Sequence, residues 1–255
     1  MTFKDHFSEN SSGYNKYRPQ YPDELFQYLA QSCNKQKLAW DCATGSGQAA
    51  LGLAAHFSRV IATDASRQQI AKAVRDEQIT YNVATAEQSG LIAASVDLIT
   101  VAQALHWFDC EAFCEEAKRV LKKDALLCVW SYNLLSIDKQ IDEMIHFLYR
   151  DILGSYWPPE RRLVEEGYAQ IKLSLPELSC PVFKMEASWS LADLIGYLNT
   201  WSAVRRYIKK QGSNPVELIV EKLQASWGDS SLYRPIEWPL TLRMWQNSDR
   251  AIDSE

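Results

Sequence analysis

The stretch LAWDCATGSGQAALGLAAHF, Leu38 to Phe57, constrains this chain more than any other part of it. Leu38, Ala39 and Trp40 form a short apolar run that stops at Asp41, Gly45 and Gly47 punctuate the residues after it, and Ala49 to Phe57 is rich in alanine and leucine. The pattern predicts strand, glycine turn and helix. Glycine suits a turn that brings backbone close to a ligand, because it tolerates positive φ and carries no Cβ to obstruct approach. The helix start adds unpaired N–H groups and the positive end of a dipole. A ligand is expected at this junction.

Gly45, Gly47 and Ala50 match the GxGxxG/A spacing of dinucleotide sites, a weak signal by itself. Asp41, a carboxylate four residues before Gly45, separates the possibilities. Beside a pyrophosphate it would repel like charge and weaken the anion site of a helix start. Beside an ammonium or a sulfonium it is favourable, and S-adenosylmethionine (SAM) carries both. Asp41 therefore favours SAM over NAD, with a solvated turn aspartate as the bland alternative.

The 255 residues are 47% hydrophobic and 23% charged, which suits one large α/β domain or a domain with a small lid. A net charge of -5 argues against a nucleic-acid partner, since such proteins present a basic surface. No stretch approaches the ~20 apolar residues of a membrane span, and the first residues show no apolar run of a signal peptide. A cytoplasmic protein acting on small molecules is expected, with no membrane partner and with a monomer possible. Six cysteines lie without CxxC pairs, and four histidines without HxxxH spacing, so neither disulfides nor a metal is expected. Cys110 and Cys114, one helical turn apart, share a face with Phe113, Ala117 and Leu121 and read as packing.

Further along, Arg59 to Thr63 predicts a second strand ending in Asp64, and Ser66 with Gln69 a capping box for a helix to about Arg75. Asp64 lies 17 residues past Gly47, near the ~20-residue interval at which a second-strand carboxylate meets ribose hydroxyls. The alternative is an aspartate favoured by the next helix dipole. Tyr81 to Ala84, Val96 to Val101 and Ala125 to Tyr132 predict three more strands, and Asp109 caps a helix from Cys110 to about Leu121. Strand and helix alternating five times predict a parallel sheet with right-handed crossovers, whose ligands bind beyond the strands' carboxyl ends. Asp41, Asp64, Ala86 and Gln103 each fall just past such an end.

Outside that core, the organisation predicted is an N-terminal cap over residues 1–36, a core over 37–133, a helical aromatic lid over 134–181, and late strands with inserted helices over 182–255. In the first segment Pro22 opens a helix with Leu25, Leu29 and Cys33 on one face. In the last, Val182 to Trp189 and Trp238 to Trp245 read as strands, separated by helices from Leu191 to about Lys210 and from Pro215 to Trp227.

Together DCATGSGQ, Asp64 after the second strand, ATAEQ, DLITVAQALHWFD and AKRVLKKD resemble the class I SAM-dependent methyltransferases. Phe7, Tyr14, Arg18-Pro19, Tyr21-Pro22 and the late WSLADLIGYLNTWSA are similar to the subset of trans-aconitate methyltransferases, which methylate small carboxylic acids. The resemblance covers nearly the whole chain and implies a Rossmann-like three-layer α/β sandwich, with a mainly parallel seven-stranded sheet whose last strand is antiparallel. It implies that Asp41 and the Ala43 to Gly47 backbone hold the methionine moiety, Asp64 with Ala65 the ribose, and Ala86 the adenine edge. Gln103 and Ala104 would flank the sulfonium, and Tyr14 with Arg18 would close over the amino-acid end.

Three departures from the family pattern stand out. Ala43 and Lys123-Asp124 replace glycine and proline-glycine, and Thr85 stands where an acidic residue or proline is usual. A Cβ at Ala43 is tolerable if φ is negative.

Methyl transfer needs an in-line nucleophile and a dry, orienting pocket more than acid or base groups. A carboxylate acceptor, with a pKa of about 4, is already ionised at neutral pH. It needs a cationic clamp, for which Arg18, His106, Arg205, Arg206 and Lys209 are candidates, with Trp107 and Trp201 as apolar walls and Gln103 near the reacting centre. The plain alternatives are a solvated helix face for Arg205 to Lys210 and a satisfied histidine at His106. A methyltransferase for another metabolite, a non-catalytic SAM-binding protein and, least favoured, an NAD-dependent oxidoreductase are the rival functions.

Overall fold

Strand β1, Leu38–Cys42, lies inside the sheet, paired in parallel on one side with β2, Arg59–Asp64, and on the other with β4, Val96–Ala102. The computed structural model describes residues 17–248. Parallel strands β3, Ile79–Val83, and β5, Leu121–Tyr132, flank this trio, giving the order β3-β2-β1-β4-β5. The order reverses direction between β1 and β4, so the crevice beyond their carboxyl ends is the place for a ligand.

Beyond β5 the sheet continues with β8, Arg234–Gln246, which is antiparallel, Tyr132 facing Leu240 and Leu126 facing Gln246. The far side of β8 carries β6, Glu177–Leu178, and β7, Phe183–Trp189. Among the described residues the strand count is therefore eight rather than seven, because the outer strand is broken between these two pieces. Pro181 lies in the break and has no N–H for the ladder.

Both faces of the sheet are covered. On β5, Leu126, Cys128, Trp130 and Tyr132 point into one apolar cluster, and Ala125, Leu127 and Val129 into the other. The first cluster takes in α1, Asp23–Ser32, through Leu25 and Leu29, and α2, Gln48–Ala54, through Ala50 and Leu53. Across β2, α3, Arg67–Lys72, follows, and α4, Cys110–Val120, covers the second face with Phe113 and Ala117. A Cβ on Gly52 would overlap the Phe26 ring, so glycine there sets how closely α2 approaches α1.

After β5 come α5, Lys139–Phe147, two irregular turns, and α6, Arg161–Glu165. Ile141 and Ile145 join the first cluster and Val164 the second, so this segment crosses from one face of the sheet to the other. The helix expected from Leu191 to Lys210 is two, α7, Leu191–Asn199, and α8, Ser202–Gln211. Between them Thr200 Oγ1 donates to the Tyr197 carbonyl at 2.7 Å, competing with helix continuation, and Trp201 is extended with its ring buried. The last helix is α9, Glu217–Trp227.

Two further expectations are corrected. The alternation is incomplete, because no helix joins β3 to β4. Residues 84–95 form a loop pinned by Glu116, which accepts from the Ser89 N–H at 2.9 Å and its hydroxyl at 2.5 Å. Helix α3 ends at Lys72 rather than Arg75. No helix among the described residues is long and apolar enough to cross a membrane.

Candidate active site

The glycine turn opens the site. Gly45 has φ +57 and Gly47 φ +89, the left-handed region that glycine occupies without strain. Ala43 has φ +56, so the condition for an unstrained Cβ at that position is not met. Its Cβ costs about 1–2 kcal/mol in that conformation. A Cβ on Gly45 would meet nothing within 4 Å, so open space adjoins the turn there, whereas one on Gly47 would overlap the Tyr81 hydroxyl.

Asp41 lies beneath this turn with no exposed surface. It shares a row across the sheet with Ala62, Tyr81 and Thr100. Its Oδ2 accepts from Thr44 Oγ1 at 2.5 Å and its Oδ1 from Thr100 Oγ1 at 2.9 Å. Burial raises the Asp41 pKa to about 6, against the pull of those hydroxyls and of the Ala50 N–H. The carboxylate thus holds the turn and the start of α2 from below, its negative charge set against the positive dipole end. The face-to-face contact with a ligand cation imagined from sequence is not what a fully covered side chain offers.

Asp64, at the end of β2, is half-buried and reaches back to the turn, accepting from Gly45 N at 2.9 Å and Ser66 N at 2.8 Å. A carboxylate oxygen can accept more than one such bond. Ala65 follows it half-buried, and Ala86 and Ala104 are each 7% exposed beyond β3 and β4. Gln103 has φ +57, with its N–H on the Trp130 carbonyl at 2.9 Å and its side-chain Nε2 on the Tyr132 carbonyl at 3.0 Å. Its amide therefore ties β4 to β5 across the strand ends. Strained residues beyond both central strands are the kind of backbone that functional sites retain.

Over these ends lies the segment 17–22. Arg18 Nη1 donates to the Tyr132 hydroxyl at 2.5 Å, Gln48 Nε2 donates to the Pro19 carbonyl at 2.9 Å, and Tyr21 packs edge-on against Trp130. The Tyr17 ring occupies the space above Gly196 of α7. Tyr14 and Phe7, also expected at the cap, lie outside the described residues.

On the other flank, His106 and Trp107 lie in the short turn Leu105–Trp107 beyond β4, ring centroids 4.6 Å apart. His106 is not the cation the clamp required. Burial, reinforced by the Arg161 guanidinium, pushes its pKa down to about 3. Arg161 takes its place as the cation on this flank, lying over the Tyr149 and Trp157 rings at 5.6 and 5.2 Å. Trp201 meets both rings at 5.7 Å and Tyr197 at 6.0 Å, and Tyr197 in turn feels Arg18 and Tyr132 electrostatically. An aromatic wall thus runs from Arg161 to Arg18.

Arg205 lies half-buried one helical turn past Trp201. The rest of the basic run turns elsewhere. Arg206 donates to the Tyr156 carbonyl at 3.3 Å, Lys210 lies over the Tyr156 ring at 5.5 Å, and Lys209 is exposed. Arg206 and Lys210 line a cleft of about 400 Å³ with Trp157 and Pro158.

Sequence reasoning missed Arg161, Tyr132, Tyr168, Thr100 and Tyr81. Only the position of Thr100, on the fourth strand opposite Asp41, was deducible from the strand pattern; the others depend on the lid path, on strand pairing or on side-chain reach.

A fold of this order with a glycine turn at its switch point defines a nucleotide-cofactor enzyme of the Rossmann-like class. Residues 40–129 match the family model described as a methyltransferase domain. A protein assigned as a methyltransferase in Dictyostelium discoideum is 38% identical over 239 residues, 90% of either chain. An uncharacterized methyltransferase of Mycobacterium tuberculosis is 30% identical over 189 residues, 72% of this chain and 70% of that one. Among solved structures, a protein of Anaeromyxobacter dehalogenans assigned as a type II methyltransferase superposes with a TM-score of 0.87 at 39% identity, covering 91% of this chain and 99% of the other. The chain belongs to the class I SAM-dependent methyltransferases.

Proposed function

We propose that this methyltransferase modifies a small carboxylate at the crevice between the ends of β1 and β4. The observation that carries the carboxylate assignment is Arg18, whose guanidinium is held by the Tyr132 hydroxyl at the end of β5, beside an aromatic wall. A guanidinium orients a carboxylate through paired hydrogen bonds. Arg161 and Arg205 are the further cations of the clamp, and Trp107 and Trp201 the apolar walls.

The residues fit a SAM molecule at the glycine turn. Open space adjoins Gly45, and the buried Tyr81 hydroxyl beside Gly47 has no hydrogen-bond partner among the described residues, so a polar group at the turn would satisfy it. SAM would supply a methyl group on a positively charged sulfur. Asp64 with Ala65 would take the ribose hydroxyls, the Ala86 N–H the adenine edge, and the Ala43 to Gly47 backbone the methionine end, with Arg18 above it and Gln103 and Ala104 beside the sulfur. Asp41 acts at one remove, by fixing the turn.

A carboxylate oxygen held in this clamp would be the nucleophile for the methyl group that SAM supplies, the C–S electron pair staying with sulfur. No proton leaves the acceptor, so a neutral His106 is no obstacle. Orientation and exclusion of water are the enzyme's contribution.

The test is a thermal-shift series with SAM, S-adenosylhomocysteine, NAD and NADP, followed by methyl transfer to di- and tricarboxylic acids. Stabilisation by the first two and ester formation are expected. Absence of binding at millimolar SAM overturns the site, and SAM binding with turnover only of non-carboxylate acceptors overturns the acceptor class.

A further inference from the structure

His106 is neutral, and the proton on its ring can occupy either nitrogen. Its Nδ1 lies 3.0 Å from the Tyr168 hydroxyl. The two ring planes are nearly parallel, 21° apart with centroids 6.0 Å from one another, so the phenol stacks alongside the imidazole as well as bonding to it. Tyr168 is 1% exposed and rigidly held, its N–H on the Leu163 carbonyl at 2.8 Å and its own carbonyl accepting from Arg243.

Among the described residues, His106 Nδ1 is the hydrogen-bond partner of this buried hydroxyl. Were Nδ1 protonated, the buried phenol O–H would have no acceptor among the described residues, so the phenol donates to an unprotonated Nδ1. The ring proton sits on Nε2, which has no hydrogen-bond partner among the described residues.

We infer that Tyr168 locks His106 in the Nε2–H tautomer, making it a neutral hydrogen-bond donor to an oxygen of the methyl acceptor, with Tyr168 as its positioning residue. The inference rests on the acceptor reading above only for the identity of that oxygen. A donor without charge suits this place, since Arg161 already supplies the positive charge nearby. It can bind a carboxylate without drawing electron density from the nucleophile as strongly as an imidazolium would.

Two measurements test this. The long-range ¹H–¹⁵N spectrum of the ring, in protein without ligands at neutral pH, is expected to show a protonated Nε2 and a bare Nδ1, shifting to a tautomer mixture in Tyr168→Phe. A protonated Nδ1 in the natural protein overturns the lock. In kinetics with trans-aconitate, His106→Gln, whose amide can donate from the Nε2 position, is expected to keep the acceptor KM within a few-fold, and His106→Asn to raise it about tenfold at little changed kcat. The reverse order, with Asn the better substitute, would mean that His106 serves only to hold Tyr168, and overturns the donor role. The spectrum needs no substrate, so failure of carboxylate turnover removes the acceptor assignment and leaves the tautomer decided.

Discussion

Thr100 Oγ1, on β4, donates to Asp41 Oδ1, on β1, across 2.9 Å where strand order reverses within the parallel part of the sheet. The second carboxylate oxygen takes Thr44 Oγ1 from the turn above, so one buried charge couples both central strands to the cofactor loop. Replacing Thr100 by Val keeps the shape and removes the donor. A loss of about 1–3 kcal/mol is expected, the cost of a buried acceptor left unsatisfied, together with weaker SAM binding. Urea unfolding checks the first, with Thr100→Ser as the control that retains the hydroxyl.

Ala43 sits at φ +56, where only glycine is free of strain. Ala43→Gly is expected to raise stability by up to about 1 kcal/mol, because relief of the left-handed strain exceeds the added freedom of the unfolded chain. The melting temperature checks this. A fall would mean that the alanine methyl is packed usefully at the turn.

The Asp41 pKa is raised in the folded state, to about 6, above its ordinary carboxylate value. The protonated form is therefore favoured by folding, and this contribution is present in full at pH below about 4 and lost as pH rises through 6. The stability difference between the natural protein and Asp41→Asn should move against the natural protein from pH 4 to pH 7. A flat difference curve from denaturant titrations across that range would contradict the burial of an ionisable carboxylate.

Tyr81 carries a buried hydroxyl beside Gly47 that no group among the described residues satisfies. Tyr81→Phe removes that unsatisfied group and is expected to leave the ligand-free protein as stable or more stable, by about 1 kcal/mol. The thermal shift produced by SAM should shrink in the same variant. An unchanged shift would exclude the hydroxyl from the cofactor site.

If Arg18 and Arg161 form the proposed clamp, Arg18→Ala and Arg161→Ala should each raise the acceptor KM more than they lower kcat, since a clamp binds the acceptor in ground and transition states alike. KM values unchanged from the natural protein in both variants and in Arg205→Ala would remove the clamp.

Much of this architecture was legible in the residues. Leu25 and Leu29, Ala50 and Leu53, and the apolar run of β5 announce their elements by periodicity alone, and each is buried where that periodicity puts it. Helix boundaries with chemical markers also emerged: Asp109 accepts from the Ala112 N–H at 3.2 Å, and Ser66 from the Gln69 N–H at 3.4 Å. The errors share a cause. The loop of residues 84–95 is held by Glu116, and the break at Trp201 by an aromatic cluster, both partners distant in sequence. The start of β5 at Leu121 depends on Asp124 turning through φ +62 where the family pattern has glycine, a conformation aspartate tolerates better than most residues.

The sequence by itself determined the layered sheet, the glycine turn at its centre and an acidic residue on each of the first two strands, because strand period, turn chemistry and caps are local properties; Asp41 lies inside β1 and Asp64 closes β2, not beyond them. Tertiary structure alone decided how those groups are used. It covered Asp41 and made it a brace, withheld charge from His106 through burial beside Arg161, and brought Arg18 to Tyr132 across 114 positions of the chain. Desolvation and long-range side-chain contacts set charge state and orientation, and neither is encoded in any short stretch of residues.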